Sequence, residues 1–249
     1  MDVTPIKVRF LGSGDAFGSG GRFQACIHVR SPDSSVLLDC GASSLIAMRH
    51  FGVEPNDIDA ILVSHLHGDH FGGIPFFILD GQFLSKRERP LLIAGPPGIK
   101  ARVRQAQEAL FAGSSQTEQK YEIHFLEWHD RQQAAIGGIS AMPFEVVHAS
   151  GAPPFALRLE IDGKTIAYSG DTEWTDTLVE VAREAELFIC EANFYDKKIK
   201  FHLDYETLNV HRGELHCKRL VLTHMNAEML ARLPSLDAEA AEDGTEIVL

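Results

Sequence analysis

The sequence predicts an α/β protein in which two β-sheets pack face to face and helices cover their outer surfaces. Short apolar runs, many of them alternating with polar residues, dominate both halves of the chain, and helical windows follow each set of strands. The chain has 249 residues, of which 45% are hydrophobic, so it can bury a large core. No linker rich in Pro, Gly or Ser divides it, and residues 1–249 are expected to form a single domain.

The first half of the chain contains five predicted strands and three predicted helices. Period-2 alternation identifies the strands, whereas apolar residues at helical spacing identify the helices. The pair Pro96-Pro97 before the third helix fits a helix start. The predicted strands cover residues 6–11, 25–29, 36–39, 59–63 and 91–94, and the predicted helices cover residues 42–49, 72–83 and 98–110.

The second half repeats this organisation with more strands. Asp162-Gly163 separates two apolar runs by two residues and predicts a tight hairpin turn. The predicted strands cover residues 121–126, 139–147, 155–161, 164–168, 187–190 and 219–223, and the predicted helices cover residues 174–185 and 205–215.

The charge of the chain disfavours one large class of ligand. The formal net charge is −12, and the densest basic run, Lys86-Arg87-Glu88-Arg89, is interrupted by an acid and is typical of a charged turn. Because proteins that bind long nucleic acids need clustered cations, extended nucleic acid is a disfavoured partner. Five acids and no base lie in the last thirteen residues, at positions 237, 239, 242, 243 and 246, which predicts a solvated terminus.

Hydropathy and cysteine spacing indicate the compartment. No window of eighteen apolar residues exists and the first residues lack the design of a signal peptide, so a cytoplasmic protein without membrane insertion is expected. The four cysteines lie far apart without a CxxC spacing. Reduced and mostly buried thiols are therefore expected.

One loop concentrates the residues that carry chemistry. The stretch ILVSHLHGDHFGG, residues 61–73, places three histidines and an aspartate within six positions after an apolar run. In an extended loop, His65 and His67 project to the same side and can bind one cation, while Asp69 and His70 can reach a second cation. Imidazole nitrogen and carboxylate oxygen are ligands that suit zinc, manganese or iron. The cluster therefore predicts the start of two metal sites.

Further candidate ligands stand where predicted strands end. His148, Asp171 and His224 each follow a predicted strand directly or within three residues, a position where binding residues concentrate. The glycine-rich stretch 12–21 lacks the spacing of phosphate-binding loops and is expected to form a flexible wall of the site. Arg22 beside it is a candidate phosphate contact. The six histidines outside these motifs and outside position 202 are interpreted as structural.

These motifs resemble those of a known superfamily. HLHGDH, VVHAS, YSGDT and LTH look like the successive metal motifs of the metallo-β-lactamase superfamily. FLGSGDAF, RPLLIAGPPGI, CEANF and HLDYETL resemble the ribonuclease Z branch of phosphodiesterases, so the similarity spans nearly the whole chain. The resemblance implies an αββα sandwich of two mixed sheets with outer helices and the metals at one edge.

The resemblance also implies a role for each candidate residue. One metal would be held by His65, His67 and His148, the other by Asp69, His70 and His224, with Asp171 bridging two divalent ions, zinc first and manganese or iron as alternatives. A water shared by two cations has its pKa lowered toward about 7 and becomes a hydroxide nucleophile, which Asp69 would orient. His202, held by Glu191, resembles the general acid of the branch. The alternatives are an ordinary loop histidine at position 202, and an ion pair of Glu191 with Lys197 or Lys198.

Two departures from the branch bear on the substrate. Ribonuclease Z enzymes that trim transfer RNA usually carry a protruding arm between the motifs matched by His148 and Asp171, where this chain has only residues 149–170. The second departure is the negative net charge. A phosphodiesterase acting on a small or cyclic phosphodiester is therefore predicted, with thioester or lactone hydrolysis as the main alternative, followed by transfer-RNA 3′ processing and a non-catalytic metal-binding role. Members of the branch commonly form homodimers, so a homodimer is a possible assembly.

Overall fold

The computed structural model describes residues 5–249. Thirteen strands form within this range, and they build a seven-stranded and a six-stranded sheet. The strands are β1 (Lys7–Gly12), β2 (Cys26–Arg30), β3 (Ser35–Leu38), β4 (Ala60–Leu62), β5 (Leu91–Gly95), β6 (Ile123–Glu127), β7 (Ala134–Ile136), β8 (Ile139–Glu145), β9 (Phe155–Ile161), β10 (Lys164–Tyr168), β11 (Leu187–Glu191), β12 (Leu220–Thr223) and β13 (Glu246–Val248).

Both sheets are mixed. The first has the order β13-β1-β2-β3-β4-β5-β6, parallel from β3 to β6, and the second has the order β12-β11-β10-β9-β8-β7, parallel from β10 to β12. β2 is antiparallel to both β1 and β3, so β1 and β3 run in the same direction. In the same way, β9 is antiparallel to both β8 and β10, so β8 and β10 run in the same direction. In each sheet, several carboxyl ends therefore lie at one edge.

The core between the sheets is built from alternate side chains of the strands. Val8 and Phe10 of β1 and Leu157 and Leu159 of β9 face inward, and they belong to one buried cluster to which both sheets contribute. Two further clusters lie under the helices on the outer faces. This arrangement confirms the predicted αββα sandwich.

Seven short α-helices cover the outer faces and connect the strands. Among residues 5–249, no helix is both long enough and apolar enough to cross a membrane. A π-helical turn, Asp80–Leu84, follows the third α-helix. The helices are α1 (Ser44–His50), α2 (Gly68–Phe71), α3 (Ile74–Leu79), α4 (Ile99–Leu110), α5 (Thr177–Ala182), α6 (Tyr205–His211) and α7 (Ala227–Arg232).

Several predicted bounds are wrong for identifiable reasons. The helix predicted at 72–83 begins only at Ile74, next to Pro75, and its last turn is π-helical. The helix predicted at 174–185 is reduced to α5, because its cap is Asp176 and Glu184 adopts a left-handed backbone conformation. The sequence analysis missed α2, α7, β7 and β13, which are each too short to show a hydrophobic period.

The prediction of a solvated terminus for the acidic tail is wrong. Residues 246–248 form β13 and pair with β1, and Ile247 is buried in the core between the sheets. The carboxylate of Asp243 accepts hydrogen bonds from Ser13 and Phe23. The cysteines agree with expectation: all four are unpaired, and Cys217 alone is partly exposed.

Candidate metal centre

The histidine-rich loop is held in place by the strand beside it. His65 lies three residues beyond β4, where Ser64 N donates a hydrogen bond to Asp39 Oδ1 at 2.7 Å. The backbone stays extended to His67 and then turns into α2, whose first turn is closed by a bond from His70 N to His67 O at 3.0 Å. This change from extended to helical backbone sends Asp69 and His70 in a different direction from His65 and His67.

The first candidate metal position is the three-histidine group, His65, His67 and His148. Each offers a ring nitrogen, and the three atoms lie within 4.8 Å of one another. His67 Nδ1 and His148 Nε2 are 3.0 Å apart, and both rings are in edge contact with His65. His148 comes from the loop after β8, in the other sheet, so the group joins the two sheets.

The second candidate position is the two-aspartate group, Asp69, His70, Asp171 and His224, all of which are buried. Asp69 Oδ2 lies 3.2 Å from the Nε2 atoms of both His70 and His224, and these two nitrogens are 3.3 Å apart. Asp171 Oδ1 is 3.4 Å from His70 Nε2, while its Oδ2 is 3.8 Å from Nε2 of His65 in the other group. Asp171 therefore lies between the two groups.

The residues of both groups fit metal ions. Nε2 of His65 and Oδ1 of Asp171 are buried without a hydrogen-bond partner among the described residues, and such orphaned atoms call for a bound ligand. Burial and the charge of His70 lower the pKa of His65 well below its ordinary value, which leaves a neutral imidazole with a free lone pair. Burial alone would lower the pKa of His224, but the charge of Asp171, the hydrogen bond to Asp69 and the charge of Glu191 together raise that pKa. The second group thus favours a positive charge in its centre.

A buried carboxylate supports His70 from behind. Asp39, which has no exposed surface, lies with Oδ2 2.7 Å from His70 Nδ1 and accepts a hydrogen bond from the Tyr168 hydroxyl at 2.8 Å. This contact turns His70 Nε2 toward the centre of its group. The sequence analysis missed Asp39, although a carboxylate that ends an apolar strand was the available signal. It also missed Asn193, whose Nδ2 lies 3.2 Å from His224 Nδ1.

The predicted pair of Glu191 and His202 is formed beside the two-aspartate group. His202 Nδ1 lies 3.0 Å from Glu191 Oε2 and 3.8 Å from Asp171 Oδ2. Burial alone lowers the pKa of His202, but the hydrogen bond to Glu191 and the charge of that carboxylate raise it to about 9. The alternative ion pair of Glu191 with a lysine is not formed: Glu191 is fully buried, and Lys198 contacts Thr207 and Asp204 instead.

A cavity of about 750 Å³ opens above both groups. Among residues 5–249, no lysine or arginine lines it. Its ionisable lining consists of three histidines and four acids, which are His67, His202, His224, Asp15, Asp69, Asp171 and Glu228. The glycine-rich loop forms one wall, as predicted, and Asp15 holds it by accepting hydrogen bonds from Ser19 N and Ser19 Oγ at 2.9 and 2.7 Å. Phe17 at its tip is 94% exposed and faces an apolar wall that includes Phe194, Ile199 and Ala227.

Arg22 does not line this cavity. Its Nη1 donates to the backbone oxygen of Ala241 at 2.6 Å and to Ser13 Oγ at 3.3 Å. The interpretation of Arg22 as a phosphate contact is therefore wrong, because the guanidinium is engaged by the tail of the chain.

Comparisons with known proteins identify the family of the chain and agree with its fold. A model of the family described as Anti-Pycsar protein Apyc1 matches residues 6–239. The chain is 25% identical over 276 residues to Ribonuclease Z of Methanosarcina acetivorans, and the aligned region covers 89% of this chain and 88% of the relative. Its structure is similar to that of the metallo-β-lactamase fold protein YhfI from Bacillus subtilis, with a TM-score of 0.76 and 23% identity. The superposition covers 98% of this chain and 100% of YhfI. A diphosphatase of the PhnP family gives a TM-score of 0.77, 18% identity and coverage of 97% of both chains.

Proposed function

Because the chain belongs to the family described as Anti-Pycsar protein Apyc1, within the metallo-β-lactamase superfamily, we propose that it is a metal-dependent phosphodiesterase for small or cyclic phosphodiesters. The observation that carries the proposal is the pair of His202 and Glu191, which places a protonated imidazole beside two candidate metal groups. A phosphodiester needs both features, because its leaving alkoxide gains more from a proton donor than a thiolate does.

The proposal assigns one divalent ion to each group. The three-histidine group would hold the first ion, Asp69, His70 and His224 would hold the second, and Asp171 would contribute to both. Zinc suits this set of imidazole and carboxylate ligands, and manganese or iron are the alternatives. Ions held there would supply Lewis-acid chemistry: activation of water as a nucleophile and neutralisation of the charge that grows on the phosphoryl oxygens.

Asp69 has the role of orienting the attacking water. Burial favours its neutral form, but the charge of His70 and the hydrogen bonds from His224 and His70 hold the pKa of Asp69 well below its ordinary value. The side chain is therefore a carboxylate at neutral pH, and it lines the cavity floor. A carboxylate with so low a pKa is a weak base, so orientation is its main contribution.

His202 supplies the proton that the leaving oxygen needs. Its Nδ1 is occupied by Glu191, which leaves Nε2–H as the donor available to a ligand in the cavity. The attacking water has released one proton to solvent, and as its oxygen bonds to phosphorus the ester P–O bond breaks and the His202 proton passes to the departing alkoxide. A pKa raised to about 9 keeps His202 protonated at neutral pH.

The shape and charge of the cavity favour a small substrate. With no lysine or arginine in its lining, each phosphate beyond the reacting one would meet no cation. Residues 155–168 form the hairpin of β9 and β10, so the segment between His148 and Asp171 has no room for an arm that could hold transfer RNA. The apolar wall instead fits the organic part of a single phosphodiester.

The test compares leaving groups in the His202→Ala variant. With an alkyl phosphodiester, the metal-loaded variant should lose on the order of 10²–10⁴-fold in turnover, the usual contribution of a general acid. With a p-nitrophenyl phosphodiester, whose leaving group needs no proton, it should lose much less. His202 also lies within 4.8 Å of ligand atoms of Asp171, Glu191 and His224. Metal content should nevertheless stay at the wild-type level, because the proposal gives His202 no place among the ligands of either ion.

The matched control is His124→Ala, which removes an exposed histidine that contacts Glu122 outside the cavity. It should behave like wild type on both substrates. Equal losses of the His202 variant on both substrates, or loss of metal, would contradict the general-acid role. A panel that adds thioesters and lactones then decides whether hydrolysis of those esters is the activity instead.

A further inference from the structure

We infer that Asp243, in the acidic tail, is a positioning residue for the candidate ligand His224. The inference rests on the metal assignment proposed above and extends it to a part of the chain outside the cavity. Asp243 acts through the backbone of Ser13, and the steps below follow that path from the tail to the imidazole.

The tail crosses from one sheet to the other. Residues 239–248, which we call the strap, first lie along β12, where Leu222 N donates to Glu239 O at 2.9 Å and Ala241 N donates to Leu222 O at 2.8 Å. The strap then continues as β13, which pairs with β1 of the other sheet. Because β12 leads to His224 and β1 leads to Ser13, the strap holds together the two strands that enter the site side by side.

Asp243 lies at the turn between these two parts of the strap. Its Oδ1 accepts hydrogen bonds from both N and Oγ of Ser13 at 2.9 Å, and its Oδ2 accepts from Phe23 N at 2.7 Å. Three donors thus share one carboxylate, and charge-assisted bonds of this kind are the strong ones. They fix Ser13, which is fully buried, between the strap and the segment of Phe23.

Ser13 in turn fixes the backbone of His224. Its carbonyl oxygen accepts from His224 N at 3.0 Å and from Thr223 Oγ1 at 3.3 Å. His224 needs such support, because its φ of 56° lies in the left-handed region that non-glycine residues rarely adopt. The direction of its imidazole therefore depends on the Ser13 carbonyl, and the place of that carbonyl depends on Asp243.

The experiment measures stepwise metal binding to the Asp243→Asn variant. Asparagine retains one acceptor oxygen and turns an amide donor toward either Ser13 or Phe23, so one backbone N–H loses its partner. We expect affinity for the ion of the two-aspartate group to fall by about 10–100-fold, the usual effect of losing an outer support of a ligand. Affinity for the ion of the three-histidine group should stay at the wild-type level. Calorimetric titration with Zn²⁺ and the visible spectrum of the Co²⁺ form report the two steps.

Two further variants keep the test decisive. Ser13→Ala removes the hydroxyl that donates to Asp243 and accepts from Arg22, but it keeps the bond from Ser13 N to Asp243, so it should weaken the same step by a smaller factor. Glu242→Gln removes one negative charge from the neighbouring residue, an exposed side chain whose nearest cation is Arg22 at 3.9 Å, and should leave both steps unchanged. Melting temperatures of the metal-free forms show that each titration is made on folded protein.

The outcomes separate this inference from the proposed function. Two ions in the wild type, with unchanged stepwise affinities in Asp243→Asn, would overturn the positioning role even if the melting temperature fell. Equal weakening of both steps would also overturn it, since a general loosening of the fold would then be the cause. Fewer than two ions in the wild type would overturn the metal assignment itself, and the inference with it.

Discussion

The two candidate metal groups differ in what stands behind them. In the two-aspartate group, each imidazole has a side chain at its rear nitrogen: Asp39 lies 2.7 Å from His70 Nδ1, and Asn193 lies 3.2 Å from His224 Nδ1. In the three-histidine group, His148 is held by a backbone oxygen, that of Phe201, at 2.6 Å, and His65 Nδ1 lies 3.1 Å from the hydroxyl of Ser64. That group contains no carboxylate, and Asp171 Oδ2 lies 3.8 Å from Nε2 of its member His65.

This difference indicates how the two positions depend on the fold. The two-aspartate group is part of a buried network that reaches into both sheets, so its geometry and the stability of the protein are linked. In the three-histidine group, His67 is half-buried and makes no contact with Asp39. His65 is attached to that network through Asp171 and through Ser64, whose hydroxyl donates to Asp39 at 2.8 Å. We therefore expect removal of His67 to cost one ion, and removal of His70 to cost both metal and stability.

The largest effect is expected for Asp171→Ala, because this residue lies between the groups. The variant should lose both ions and with them the hydrolytic activity, which elemental analysis and assays after metal reconstitution would measure. Asp176→Ala, an exposed acid five residues along the chain, is the matched control and should keep both ions. Retention of one ion by Asp171→Ala would show that the groups are independent and would break the comparison.

A direct contrast comes from removing one histidine of each group. His70→Ala leaves the buried carboxylate of Asp39 without its imidazole partner, so the metal-free variant should lose on the order of 3 kcal/mol of unfolding free energy. His67→Ala removes a half-buried side chain and should cost the metal-free protein less than about 1 kcal/mol. Urea denaturation of both metal-free variants measures the difference.

The same two variants should also differ in metal content. His67→Ala should retain one ion per chain, in the two-aspartate group, whereas His70→Ala should lose the ion of that group. Equal stability losses in the two variants would contradict the view that His70 is tied more closely to the fold than His67.

The smallest effect concerns a histidine outside both groups. His28 lies 2.9 Å from Ser35 Oγ, and burial, assisted by the charges of Arg30 and Arg9, lowers its pKa to about 4. Because the folded pKa lies below the ordinary value, the fold favours the neutral ring. The resulting stability is complete above pH 6.5 and is lost as the pH falls toward 4.

His28→Gln should therefore flatten the dependence of unfolding free energy on pH between these values, by about 1–3 kcal/mol. Urea denaturation of the metal-free protein at several pH values checks the prediction. An unchanged pH dependence in the variant would assign the acid sensitivity to the histidines of the metal groups.

Local sequence patterns were sufficient to predict most of the strands and the ligand-type residues of the site. The strands of residues 155–161 and 164–168 were predicted at their observed bounds, because alternation and the Asp162-Gly163 turn are encoded within a few residues. The motif HLHGDH marked its loop in the same way, and the structure brings its four ligand-type residues into the two groups that their spacing indicated.

The parts that escaped prediction depend on distant partners. Asp243 holds Ser13, which lies 230 positions earlier in the chain, and nothing in the composition of the tail announces that contact. Asp39 supports His70 across 31 positions, and its role appears only when β3 and β4 lie side by side. Tertiary contacts of this kind leave no hydrophobic period, so an acidic tail and a supporting carboxylate look like ordinary polar residues.

The absence of lysine and arginine from the lining of the cavity, within the part of the chain that the structure describes, has a consequence for the effect of salt. An anionic ligand approaches a chain whose formal net charge is −12, so the long-range force is repulsive and attraction begins only close to the centre. Added salt shortens the repulsion to within about 8 Å at physiological ionic strength. Association of an anionic ligand should therefore become faster as ionic strength rises, which is the reverse of the behaviour of proteins that attract nucleic acids with a basic surface.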